Sequence, residues 1–265
     1  FKEQKMKSIG LTTTAISLIL GAILITIFNS LIPVNAANPF DFSFDPSQTS
    51  KVIDATTGNQ VNLRIFSMLL TLSTLLIPLG LIGILRISEK DDKKKLTTWG
   101  FVLAIISVTV GAIISGANLA FAGVISGMVS ATNELNAAQS ALAGATASKN
   151  MALVGQMTGA ITGLQMAMMS LTITAGTINA IGLASHQIAT IIFLLANVLL
   201  GIGMIQTKPL NNIVSKLLLV VGAVGFIILL IYPVSSEPGY ALGGIILTII
   251  ALLWMIKGII VYRLK

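Results

Sequence analysis

Residues 150–207 read NMALVGQMTGAITGLQMAMMSLTITAGTINAIGLASHQIATIIFLLANVLLGIGMIQT, without one Asp, Glu, Lys or Arg. Residues 96–148, just before, hold a single charge, Glu134. About 20 apolar residues span a bilayer, so the uncharged run is too long for one crossing. It is also too rich in Ala, Gly, Ser, Thr, Met, Asn and Gln to be oily core. A stretch that is charge-free yet not oily implies helices packed on helices, in or beside a membrane.

Periodicity refines this reading. Val154, Met157, Ile161, Leu164, Met168, Leu171, Ala175 and Ile178 recur in steps of three and four, a heptad seam. Upstream, Phe121, Ile125, Met128, Leu135 and Leu142 recur similarly, with Thr132 and Gln139 completing the alternation. Small and polar residues 144–150 separate the two stretches. So short a connection predicts an antiparallel helical hairpin over residues 120–184, turning near Ala147 and either projecting from the membrane or folding back into it. Gly155, Gly159 and Gly163 form a doubled small-xxx-small pattern. Together with Met157, Leu164 and Leu171 they are expected to pack on a helix and not on lipid. Met151, Met157, Met166, Met168 and Met169 crowd the same helix as flexible gap-fillers.

The whole chain fits this setting. It has 265 residues, 55% of them hydrophobic and 9% charged, against about 25% charged in soluble domains; mean hydropathy is +0.94. The expected class is all-α: a polytopic transmembrane bundle, residues 1–265 as one integral membrane domain, with the uncharged hairpin between spans three and four. Six spans are read near 8–34, 62–87, 98–119, 185–205, 215–233 and 240–261. Residues 34–36 resemble a signal-peptidase site, but the apolar stretch before them exceeds the usual h-region, so a retained helix is expected. With the N-terminus inside, 13 of the 16 basic residues lie inside, leaving Lys51, Arg64 and Lys149 outside. This asymmetry predicts a cell-membrane protein with both termini cytoplasmic.

The outer loop, residues 35–61, carries Phe40, Phe42 and Phe44 at alternate positions, which places them on one face of an extended strand. Asp41 and Asp45 are too few for a calcium site. Residues 51–54 and 60–63 flank Thr56-Thr57-Gly58-Asn59, a β-hairpin signal. Pro78, within the second span, is a kink and a candidate hinge. Lys93, Lys94 and Lys95 form a cytoplasmic basic loop able to meet anionic lipid. His186 is read as an interfacial side chain hydrogen-bonded to a neighbour.

Chemistry finds few footholds. Cysteine is absent and His186 is the only histidine, which removes thiolate metal sites, multi-His sites and a Cys nucleophile. No paired acids or Ser–His arrangement emerges, and no Walker A sequence occurs. The net charge of +7 is spread over helix ends and not clustered with aromatics, so direct nucleic-acid binding is not supported. No catalytic, cofactor-binding or metal-binding residue is expected.

The expected role is therefore a non-enzymatic membrane subunit of a larger assembly, a scaffold or part of a translocation conduit. Its partners would be the lipid bilayer and other membrane subunits, or its own copies through the 120–184 hairpin. The Ala/Gly/Ser/Met-rich hairpin with Lys149 in its turn resembles, in architecture, the helical pairs of conjugative pilins. The whole chain resembles polytopic subunits of type IV secretion and archaeal DNA-uptake systems, which implies secretion or DNA-transfer machinery. Two other readings are open: a stand-alone channel or facilitator for a neutral solute, and an accessory subunit of a respiratory membrane complex.

Overall fold

The computed structural model describes residues 2–37, 45–88 and 94–264. The Phe40–Phe44 row with Asp41, and Lys93, lie outside the described residues. The elements run α1 (Lys2–Leu31), α2 (Pro33–Ala37), α3 (Thr49–Thr56), α4 (Gln60–Thr74), α5 (Leu76–Ser88), α6 (Lys94–Ala147) and α7 (Met151–Gln206). A 3-10 turn (Lys208–Leu210) leads into α8 (Ile213–Ile231) and α9 (Glu237–Arg263). Among the described residues there is no strand. Six helical stretches are long and apolar enough to cross a membrane: Gly10–Leu31, Gln60–Ser88, Lys95–Ala147, Met151–Gln206, Ile213–Ile231 and Glu237–Arg263.

The expected β-hairpin at 51–63 is not formed. Helices α3 and α4 stand there, and Gly58, at φ 81°, reverses the chain between them. Val52 and Thr56, one helical turn apart, are both buried, so burial follows the helical period and not the strand period. Gly58 thus serves as the left-handed residue past a helix end, a role as well suited to glycine as a hairpin turn.

The second apolar stretch is interrupted at Leu75. Pro78 has no N–H to give, and its ring crowds the carbonyl four residues back. That carbonyl belongs to Thr74, the last residue of α4.

Close helix approaches set the bundle. A Cβ on Gly83 would overlap the Thr14 side chain, one on Gly203 would overlap Thr97, and one on Gly258 would lie 2.9 Å from the Ala15 carbonyl oxygen. These contacts gather the starts of α1 and α6 and the ends of α5, α7 and α9 at one end of the bundle. At the opposite end the Tyr240 hydroxyl donates to Asn35 Oδ1, and Asn179 Nδ2 donates to the Pro46 carbonyl at 2.9 Å.

Two apolar cores follow. The larger joins α1, α5, α6, α7, α8 and α9 around Leu18, Leu81, Leu194, Leu200, Leu218, Ile250 and Trp254. The smaller caps the Tyr240 end, where Ile32, Val52 and Leu63 meet Phe121, Ala122, Ile125 and Ala175.

Candidate functional site

Helices α6 and α7 contain 54 and 56 residues, each about 80 Å long at 1.5 Å per residue. They run through positions 120 and 184 without a break. Ser107 Oγ donates to the Ala189 carbonyl at 2.8 Å. A Cβ on Gly182 would meet Ala117, and one on Gly127 would meet Leu171. As one number rises the other falls, so the helices pack antiparallel. Met128 is the last α6 residue packed on the smaller core. From there to Ala147 the pair extends about 30 Å past the bundle.

The connection at the tip is three residues long. Lys149 adopts φ 55°; its N–H donates to the Thr146 carbonyl at 3.1 Å, and Asn150 N–H donates to the Ala145 carbonyl at 2.9 Å. These two bonds form a Schellman motif. The Asn150 side chain then accepts from Leu153 N–H at 3.2 Å and caps α7. Asn150 thus closes one helix and opens the next.

On α7, Val154, Met157, Ile161, Leu164, Met168, Leu171, Ala175 and Ile178 are all buried or half-buried, and the positions between Val154 and Ala175 are exposed. On α6 Phe121, Ile125, Met128, Leu135 and Leu142 are buried or half-buried as expected, and the seam differs at the two polar positions. Thr132 and Gln139 are exposed, while Ala131 and Ala145 are buried and Ala138 is half-buried. The register places Ala131, Ala138 and Ala145 level with Met168, Ile161 and Val154. Large residues of α7 therefore lie over small ones of α6, which lets the two backbones come close.

The six residues expected to pack against helices divide into two faces. Met157, Leu164 and Leu171 belong to the seam with α6. Gly155, Gly159 and Gly163 are exposed, and a Cβ at any of them would meet nothing within 4 Å. Among the described residues no helix covers them. Met151, Met166, Met169 and Ile173 are also exposed, at 75%, 64%, 68% and 61%. Between Val129 and Ser170 the only charges are Glu134 and Lys149, and both are exposed.

Several other polar groups are paired inside the bundle. Asn118 Nδ2 donates to Ser67 Oγ at 3.1 Å, and the Thr71 hydroxyl donates to Ser115 Oγ, joining α4 to α6. Gln187 donates to the Leu229 carbonyl at 2.9 Å and accepts from Val234 N–H at 2.7 Å. His186, expected to bond a neighbour, is half-buried and makes no hydrogen bond to a described residue. Of the basic loop, Lys95 is exposed and Lys94 begins α6. Ahead of α3, Asp45 accepts from Ser47 Oγ at 2.6 Å, Ser47 N–H at 2.9 Å and Gln48 Nε2 at 3.2 Å. The Ser47 hydroxyl bond, more than any other contact, holds the Asp45 carboxyl below its ordinary range.

Sequence reading counted Lys257 among the thirteen basic residues on the inner side. It is instead fully buried. Its ammonium donates to Ser215 Oγ at 2.7 Å and the Leu210 carbonyl at 2.8 Å, with Asn212 Oδ1 at 3.5 Å. One turn earlier, Trp254 Nε1 donates to Asn197 Oδ1 at 2.8 Å. A signal was present: Lys257 sits inside Leu252-Leu-Trp-Met-Ile-Lys-Gly-Ile-Ile260, three residues from Trp254 and hence on its face.

Among the described residues no three His, Cys, Asp or Glu side chains gather as metal ligands. The chain matches no protein-family model, and neither a curated protein nor a solved structure is detectably similar to it. The feature with most exposed surface is the α6–α7 pair beyond Met128, where the only charges are Glu134 and Lys149.

Proposed function

We propose that this protein is a non-enzymatic, multi-pass membrane subunit of a larger assembly, a scaffold or part of a translocation conduit of the secretion or DNA-transfer kind. Both termini face the cytoplasm. The outer hairpin leaves the membrane on the far side and supplies helix contacts to neighbouring subunits.

One observation carries this reading: about 30 Å of paired helix stands clear of the bundle with an exposed surface almost without charge. An isolated surface in water is normally dressed with charges that keep it solvated and unassociated. A surface without them is suited to being covered. Orientation draws on the basic residues. Exposed Arg86, Lys95, Lys208, Lys216 and Arg263 sit at the end shared by the start of α6 and the end of α7. The channel reading draws less support, because Ser67, Thr71, Ser115, Asn118 and Gln187 hydrogen-bond to protein groups and are not free to line a path.

The test is extraction in mild detergent followed by native mass measurement. The parent chain is expected in particles well above its 27.7 kDa plus bound detergent. Replacing residues 131–168 by a short Gly/Ser turn removes only the self-packed end and is expected to reduce those particles to single copies. Single copies for both chains would refute the assembly role. Orientation is checked with single cysteines at exposed Lys208 and Ser235, which should label from opposite sides of the membrane.

A further inference from the structure

We propose that the end of the bundle shared by the start of α6 and the end of α7 binds anionic phospholipids, whose phosphates are the counter-charges of its exposed cations. Arg86, Lys95, Lys208, Lys216 and Arg263 are exposed there, and none of their side chains bonds to a described residue. The chain lacks the acids to pair them. Thirteen basic residues are read on that side, against Glu3, Glu89, Asp91 and Asp92. With Lys257 buried, twelve bases face four acids, and eight cations have no acid to meet. The opposite side carries five acids and three bases, so the net charge of +7 arises wholly at this end. Such binding requires the membrane spans and no assembly.

Depth selects lipid. Helix α8 runs away from this end, and Ile213, 66% exposed, precedes Lys216, with exposed Leu217 after it. Helix α9 runs toward it, and Arg263 lies between exposed Tyr262 and Leu264. On α6, Trp99, 62% exposed, is one turn deeper than Lys95. Cations set among exposed apolar and aromatic side chains mark the headgroup layer, where Trp and Tyr collect and long basic side chains reach for phosphate. An acidic protein or a nucleic acid would have to enter that layer to meet Lys216 or Arg263. Lipid phosphate is already in it.

Three of the cations share one sector. A Cβ on Gly203 would meet Thr97, and one on Gly201 would meet Leu219. Lys95 and Lys216 stand two and three residues nearer the end than those contacts, so they flank the last turn of α7 from α6 and from α8. Lys208 follows two residues after α7 ends. Each Lys or Arg near an anionic surface strengthens the attraction by about fivefold, and the effect weakens as salt screens it.

The test places the full-length protein in bilayers of brominated phosphatidylcholine with rising fractions of unbrominated phosphatidylglycerol. Bromine quenches tryptophan at short range. Trp99 is exposed beside the lysines while Trp254 is buried, so recovered fluorescence reports which lipid occupies this sector. Phosphatidylglycerol is expected to be preferred by about fivefold or more, and less so in high salt. The triple change Lys95→Gln, Lys208→Gln and Lys216→Gln is expected to bring the two lipids near equality, and Lys→Arg at the same three positions to keep the preference. Equal affinity for the two lipids in the parent, or an undiminished preference in the Gln triple, would overturn the proposal. So would displacement of phosphatidylglycerol by inorganic phosphate or duplex DNA at matched ionic strength, which would assign the cations to a ligand from water.

Discussion

Replacing Lys257 with Met tests what a buried cation contributes here. The ammonium gives two short charge-assisted hydrogen bonds, to Ser215 Oγ and the Leu210 carbonyl. Such bonds are worth about 1.5–3 kcal/mol each, so their removal costs roughly 3–6 kcal/mol. Against this, burying an ammonium without a counter-charge costs several kcal/mol, and methionine removes that cost while nearly keeping the volume. The acceptors are not orphaned. Leu210 still receives the Ser215 hydroxyl at 2.6 Å, and Asn212 Oδ1 still receives Ser215 N–H at 3.2 Å. The two sides close to within a few kcal/mol, and Lys257→Met is expected to unfold close to the parent temperature. Lys257→Ala has the same charge change but leaves a cavity, and is expected to lose about 2–5 kcal/mol. Thermal unfolding in detergent, followed by Trp254 fluorescence in a Trp99→Phe background, reads both. If the Met variant fell as far as the Ala variant, the ammonium would be a net stabiliser and this accounting would be wrong.

Three further outcomes follow from the geometry. A Cβ on Gly201 would lie 2.8 Å from Leu219 N and 2.9 Å from its Cα, while one on Gly244 would meet nothing within 4 Å; Gly201→Ala should cost about 1–3 kcal/mol and Gly244→Ala should gain up to about 1 kcal/mol, both read as shifts in unfolding temperature. Lys149 holds a left-handed conformation unfavourable to side chains, so Lys149→Gly should stabilise the tip by roughly 1 kcal/mol, seen as slower amide exchange at Asn150. Because the Asp45 carboxyl titrates below its ordinary 3.8, its contribution is present above that pH and lost as pH falls through the lower folded value. Protection of the Ser47 amide should follow that course and be missing at neutral pH in Asp45→Asn.

What could be read from the residues depended on size contrast. The α7 half of the seam was legible because Met157, Ile161, Leu164 and Met168 stand out among Gly, Thr and Gln. The α6 half was legible at Phe121, Ile125, Met128, Leu135 and Leu142 and missed between them, because alanines at 131, 138 and 145 share the contact and look like filler, while Thr132 and Gln139 look larger. Residues 51–63 misled because Val52-Ile53 and a following Gly58 suit a strand and turn as well as two helices; only the partners brought in from α6 and α7 decide between them. Lys257 was hidden by bookkeeping. Counted as one more basic residue near a helix end, it supported an orientation while its place inside an apolar run went unused. The outward direction of Gly155, Gly159 and Gly163 was open, since a small-residue stripe does not say whether its neighbour belongs to the same chain.

The unbroken course of α6 and α7 has a mechanical consequence. Neither helix contains a proline, and each is cross-braced by the other along its length. The pair is therefore stiff from the Thr97–Gly203 contact to the Lys149 tip, held by the two cores as far as Met128 and free over the last ~30 Å. A tilt of about 5° of that free arm sweeps the tip through roughly 3 Å. Angular play too small to disturb the helices' own hydrogen bonds at the smaller core thus reaches the tip as a sideways displacement of about one helix backbone radius.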